Sequence, residues 1–215
     1  MIWHFILHQT KQEFREKAAL GGIFLYVVST IFVCFLCFKH IIDPTTWTAL
    51  FWIILLFASI NGVSKSFVQD SKGLQLYYYT LLSPSALIIA RIIYNFALLV
   101  VLCCICFCFF SLFLGNDLVN NALFLLTLLL GVNGIASILT LISAIASKTQ
   151  GNFGLMAILS LPLLMPLLIT SIKLSNYAYQ GIAMAVCYKY LVVLVGLDVI
   201  VFTLSLLLFP YLWKE

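Results

Sequence analysis

The stretch "SALIIARIIYNFALLVVLCCICFCFFSLFL", residues 85–114, carries one charged side chain, Arg91. About twenty apolar residues suffice for a helix to cross a bilayer. This run is longer, so it is expected to tilt or to begin in the interface. Five more runs of the same kind flank it, at 20–38, 46–66, 120–146, 153–172 and 190–212. Lipid offers the backbone no hydrogen-bond partners, so such runs must satisfy themselves as helices. The expected fold class is an all-α integral membrane protein with six transmembrane helices.

Composition agrees. Of 215 residues, 64% are hydrophobic and 8% charged, against about 25% charged in a soluble domain. No soluble domain and no internal repeat is evident, so residues 1–215 read as a single transmembrane domain. No basic cluster interleaved with aromatics marks a nucleic-acid partner. No P-loop, zinc-protease motif, nucleophile elbow or paired acidic cluster is present, so neither ATP hydrolysis by that route nor catalysis is expected. No cleavable signal peptide is expected, because the first seventeen residues mix acidic and basic side chains.

The seven cysteines do not form a framework. Cys103, Cys104, Cys106 and Cys108 share one apolar run and read as small hydrophobes. A zinc site needs closed thiolate geometry and polar support, which that run does not supply. Cys34 and Cys37 form a C-x-x-C pair, but without the βαβ context of a redox motif.

Lysine and arginine placement sets the orientation. Lys11, Arg15, Lys17, Lys65, Lys72, Arg91, Lys148 and Lys214 fall on the side that holds both chain ends. Lys39, Lys173 and Lys189 fall on the other. Both termini are therefore expected in the cytoplasm. Arg91, near the inner end of its span, is expected to snorkel to headgroups.

Residues 1–17, "MIWHFILHQTKQEFREK", place His4, His8, Lys11 and Arg15 on one helical face and Trp3, Ile6, Leu7 and Phe14 on another. This pattern predicts an amphipathic helix in the inner interface, as an anchor or as a docking element. Metal or haem ligation by His4 and His8 would also need oriented supporting groups; a polar stripe explains them better.

Residues 67–84 are too polar and too broken to stay in lipid. Three consecutive tyrosines, Tyr77 to Tyr79, suit the interface. Ser83 and Pro84 suit a helix start. The segment reads as a short surface helix joined to the third span. An inert loop would not need Phe67, Leu74, Leu76 and those tyrosines.

Within the spans, Pro162 and Pro166 stand at four-residue spacing. Each removes a donor and clashes one turn back, so a kink or break is expected, either for packing or to shape a pathway. Asp198 lies near the middle of the last run. A carboxylate at that depth costs several kcal/mol unless neutralised, paired or wet, roughly 2.5–3.5 on insertion scales. It marks a functional site or a hydrogen bond between helices, with Asn133 and Thr127 as partners at plausible depth. Asn61, Asn95 and Asn133 read as interhelical glue.

These features together resemble the CcmB family, the permease subunits of the cytochrome c maturation system. The residues that carry the resemblance are "SFVQDSKGLQLYYYTLLSPSALIIARIIYN" (66–95) and "LMAILSLPLLMPLLI" (155–169), in order and at the expected spans. One departure stands out: many members place a Glu just after the Gly-x-Leu of the surface segment, where this chain has Gly73, Leu74 and Gln75.

The resemblance implies an ABC exporter-type (type-2) permease in a bacterial inner membrane. It implies a separate CcmA-like ATPase, CcmC-like and CcmD-like membrane proteins and a CcmE-like haem chaperone as partners, and a homodimer. ATP would be bound at the partner, and haem would be a transported or handled ligand, with no cofactor bound directly. CcmC-like proteins carry a tryptophan-rich haem motif; here Trp3, Trp47, Trp52 and Trp213 are scattered, and no haem site is assigned. Phe67, Asp70, Gly73, Leu74, Gln75 and Tyr77 would couple to the ATPase, and Pro162 and Pro166 would shape the moving bundle. The rival readings are a permease of the same type exporting a lipid, glycan or drug, a passive scaffold for haem-handling proteins, and an intramembrane enzyme built on Asp198.

Overall fold

The computed structural model describes residues 17–38, 42–63, 83–148 and 153–214. The expected amino-terminal helix before Lys17, and the coupling residues Phe67, Asp70, Gly73, Leu74, Gln75 and Tyr77, lie outside the described residues.

Six α-helices make up the described chain: α1 (Lys17–Phe38), α2 (Pro44–Val63), α3 (Pro84–Leu114), α4 (Asn121–Lys148), α5 (Phe153–Gln180) and α6 (Met184–Lys214). No strand occurs among the described residues. All six are long and apolar enough to cross a membrane, so the protein is a multi-pass membrane protein. Large apolar side chains such as Leu25, Val101, Leu112 and Leu207 point outward from the bundle. In water such a surface would drive aggregation; in a bilayer it is the lipid-facing surface.

The centre of the bundle is α4. It packs against α2, α3, α5 and α6, while α1 lies outside against α2 and α3. Small residues make this close approach workable, since lipid tails supply no hydrophobic drive between helices and association relies on packing. A main core runs through the helices from Val27 and Trp47 to Leu194. A second cluster, towards the chain ends, joins Leu87, Ile88, Ala90 and Ile92 of α3 to Ala144 of α4 and Phe209 of α6.

The side opposite the chain ends is closely knit. Asp43 caps α2: the Thr46 backbone N–H donates to its Oδ2 at 3.0 Å and the Thr46 hydroxyl to its Oδ1 at 2.6 Å. These bonds favour the ionised form and hold the Asp43 carboxyl below the usual carboxylate range. Trp47 Nε1 donates to the Gly115 carbonyl at 3.1 Å. Asn120 N donates to the Ala178 carbonyl at 3.0 Å. The Trp47 ring stacks on Phe51 and meets Phe110, Phe124 and Tyr179, with centroids 4.9–5.9 Å apart. The turn into α6 uses Gly181 at φ 69°, where a side chain would also strike Val119.

Three expectations need correction. First, α5 runs unbroken through Pro162 and Pro166. Of the kink or break expected there, it is the break that does not occur; both prolines are exposed on the bundle surface, and membrane helices tolerate proline. Second, Arg91 does not snorkel: it is 1% exposed, engaged within the bundle. The end of α3 nearest the chain ends is covered by α4 and α6, so Arg91 is enclosed at a depth where an isolated helix would have left it free to reach out. Third, the runs expected at 153–172 and 190–212 are longer as helices: α5 continues to Gln180 and α6 starts at Met184, so Lys173 and Lys189 sit within helices. Long basic side chains at helix ends reach the interface without ending the helix. Ser83 does occupy the cap position of α3, but its side chain makes no capping bond.

Candidate functional site

The stretch of α4 from Gly131 to Thr140, "GVNGIASILT", collects small and polar residues in an otherwise greasy helix. Its neighbours use the gaps. The Trp52 ring of α2 presses on Gly131, and a side-chain carbon there would collide with it. At Gly134 an added carbon would collide with Leu167 of α5 and stand 2.5 Å from Asp198 Oδ1. Both positions need glycine because other helices occupy the space.

Asp198 enters this notch from α6. It lies near the midpoint of Met184–Lys214, and Asn133 lies near the midpoint of Asn121–Lys148. The two are thus at the same depth, near the middle of the bundle. Asn133 Nδ2 donates to Asp198 Oδ2 at 3.1 Å. The other carboxyl oxygen, Oδ1, is buried and has no hydrogen-bond partner among the described residues. Asp198 as a whole is 6% exposed. Thr127 takes no part; its hydroxyl donates to the Leu123 carbonyl at 2.8 Å.

Further polar contacts extend the seam. Trp52 Nε1 donates to Ser175 Oγ of α5 at 2.8 Å. Asn95 Nδ2 of α3 donates to Thr140 Oγ1 at 2.8 Å, and Thr140 donates in turn to the Ala136 carbonyl at 2.6 Å. The hydroxyls of Ser137 and Ser171 are buried without a partner among the described residues. Buried polar groups are normally satisfied, and each exception calls for an explanation. Two of them, Ser171 Oγ on α5 and Asp198 Oδ1 on α6, lie against Gly131 and Gly134 of α4, and the third, Ser137, follows Gly134 by one turn.

Asp198 and Asn133 are therefore brought together. Pro166 stands next to Leu167, which lines the notch, but the proline itself faces outward. Gly131, Gly134, Ser137 and Ser171 were not singled out from sequence. The available signal was the G-x-x-G spacing inside an apolar run, since small residues mark close helix contacts in membranes.

Chemically, the arrangement pairs a carboxyl with an amide across two helices and leaves one carboxyl oxygen facing a tight glycine surface. That is a contact whose two sides can separate or exchange partners at modest cost, because intramembrane hydrogen bonds average only about 0.6 kcal/mol. It offers no second carboxylate, histidine or nucleophile to Asp198 among the described contacts.

A family model described as "CcmB protein" matches residues 1–211 of the chain. No curated protein and no solved structure gives a significant match.

Proposed function

Because the chain belongs to the CcmB family, the permease components of the cytochrome c maturation haem-export system, we propose that it is the membrane subunit of an ABC-type complex worked by a separate ATPase. The observation that carries this reading is the extent of the family match, which runs through all six spanning helices.

On this reading both termini are cytoplasmic, in a bacterial inner membrane. ATP binding closes a CcmA-like partner. Closure pushes on residues 67–84 and on the amino-terminal helix, through Phe67, Asp70, Gly73, Leu74, Gln75 and Tyr77. The push is delivered to α3 and α1, to which those segments are joined in the chain. Motion of α3 reaches α4 and α6, its neighbours. The Asn133–Asp198 contact is where α4 and α6 yield, and the outward faces of Pro162 and Pro166 suit a contact with another membrane subunit, a second copy among them. The far side of the bundle meets a CcmE-like chaperone carrying haem, with CcmC-like and CcmD-like proteins alongside. Haem is the handled ligand and no resident cofactor is assigned. ATP stays on the partner, and this subunit is not an enzyme.

Co-purification tests the proposal. The chain should carry an ATPase with it, and Phe67→Ala or Asp70→Lys should loosen that association and lower cytochrome c output. A partner ATPase unable to hydrolyse ATP should also abolish output. If output survives that change, the chain acts as a scaffold and the driven mechanism fails.

A further inference from the structure

On the side opposite the chain ends, α5 and α6 bring two lysines to one ring. Lys173 Nζ stands 5.8 Å from the Tyr190 ring centroid and Lys189 Nζ stands 4.9 Å from it. Tyr177 meets the same ring edge-on at 5.5 Å. Two ammonium groups within about 11 Å of each other repel, more strongly where water is partly excluded. No ion pair joins either lysine to an acid among the described residues. The two acids described at this end are engaged elsewhere: Asp43 with Thr46, and Asp117 with Tyr179. The ring face accounts for the attraction of each cation, but it carries no negative charge to offset their sum.

Beneath the lysines two apolar stripes run into the membrane. On α5, Ile169 and Met165 lie one and two turns deeper than Lys173 on its face, and both are exposed. On α6, Val193 and then Gly196 follow Lys189 in the same way; Val193 is exposed and a side chain at Gly196 would meet nothing. The two helices pack against each other. Cations at the helix ends, tyrosines beside them and two exposed apolar stripes below match an amphiphile with a negative head.

We propose that Lys173, Lys189, Tyr177 and Tyr190 form a binding site for the phosphate of an anionic phospholipid in the leaflet on this side, its acyl chains lying along the Ile169 and Val193 stripes. The lysines supply charge-assisted donors, and the Tyr190 hydroxyl, which accepts from Tyr177, supplies a further donor at headgroup level.

The test uses the full chain purified in mild detergent, titrated with phosphatidylglycerol or phosphatidylcholine and read by native mass spectrometry. Wild type should retain phosphatidylglycerol roughly tenfold better than phosphatidylcholine, the size of one or two hydrogen bonds to a charged group. Lys173→Gln with Lys189→Gln should abolish the preference, and Lys214→Gln, at the other end, should keep it. Thermal unfolding without added lipid should be the same for all, since both lysines are exposed. Arginine at both positions should restore retention. An unchanged preference in the glutamine double variant overturns the proposal.

Discussion

The bundle has two crowded regions that treat their polar groups in opposite ways. At the side opposite the chain ends, the indole N–H of Trp47 and the backbone N–H of Asn120 find partners on distant segments, and the carboxyl of Asp43 is satisfied by the start of its own helix. Deeper in the bundle, Asp198 Oδ1, Ser137 Oγ and Ser171 Oγ find none among the described residues. Aromatic rings fill the first region, and glycines thin out the second. Satisfied polar groups around interlocked rings favour one arrangement. Unsatisfied ones around a smooth glycine surface penalise the present arrangement, by about 1–3 kcal/mol for each buried group, and so favour any arrangement that satisfies them. On the proposed mechanism, the far end serves as the frame and the contact of α4 with α6 is the part that yields.

The largest effect should come from breaking the frame. Trp47→Ala empties the centre of the aromatic cluster, and a core Trp→Ala change costs about 3–5 kcal/mol. Thermal unfolding in detergent should show the loss, together with poor recovery of folded protein. Next, Gly134→Val fills the notch. It should cost roughly 1–3 kcal/mol by overpacking and should also separate Asp198 from Asn133. If Gly134→Val unfolds the protein no more easily than wild type, the seam is looser than drawn. Smaller still in stability is Asp198→Asn, which keeps shape and a hydrogen bond to Asn133. Its unfolding free energy should stay within about 1 kcal/mol of wild type, while cytochrome c output falls. Equal output would leave Asp198 as packing only.

The smallest effect concerns Asp43. Its carboxyl is held lower in the folded protein than in the unfolded chain. The cap therefore contributes fully above the unfolded value near 4 and fades as pH falls through the folded value. Asp43→Asn, which keeps a cap, should flatten that part of a stability profile between pH 5 and 2 (roughly the window of linkage for an acidic side chain). An identical slope in both proteins would mean the cap is not felt.

Much of this could be read in the sequence. Apolar length alone placed all six helices, because lipid leaves the backbone no alternative. Mid-helix Asp198 and its partner Asn133 were legible for a related reason: a carboxyl at that depth is conspicuous. What was not legible depended on neighbours. Lys173 and Lys189 fall just outside the apolar runs 153–172 and 190–212 because charge lowers local hydropathy, yet their long stems let the helices run past them. Arg91 looked free to reach water because the sequence does not reveal that Ala144 and Phe209 close over the end of α3. Pro162 and Pro166 break a helix only if nothing compensates, and their outward position is a property of the assembled bundle. Gly131 and Gly134 look like ordinary small residues until Trp52 and Leu167 are seen to rest on them.

The place of α4 at the centre also sets a timetable for biogenesis. Helices leave the ribosome in chain order, so α4 enters the membrane before α5 and α6 exist. Until they arrive, Asn133 has only lipid where Asp198 will be, and Gly131 has Trp52 but not Ser171. A nascent chain halted after Lys148 should therefore linger beside the insertion machinery, and the emergence of α6 should release it.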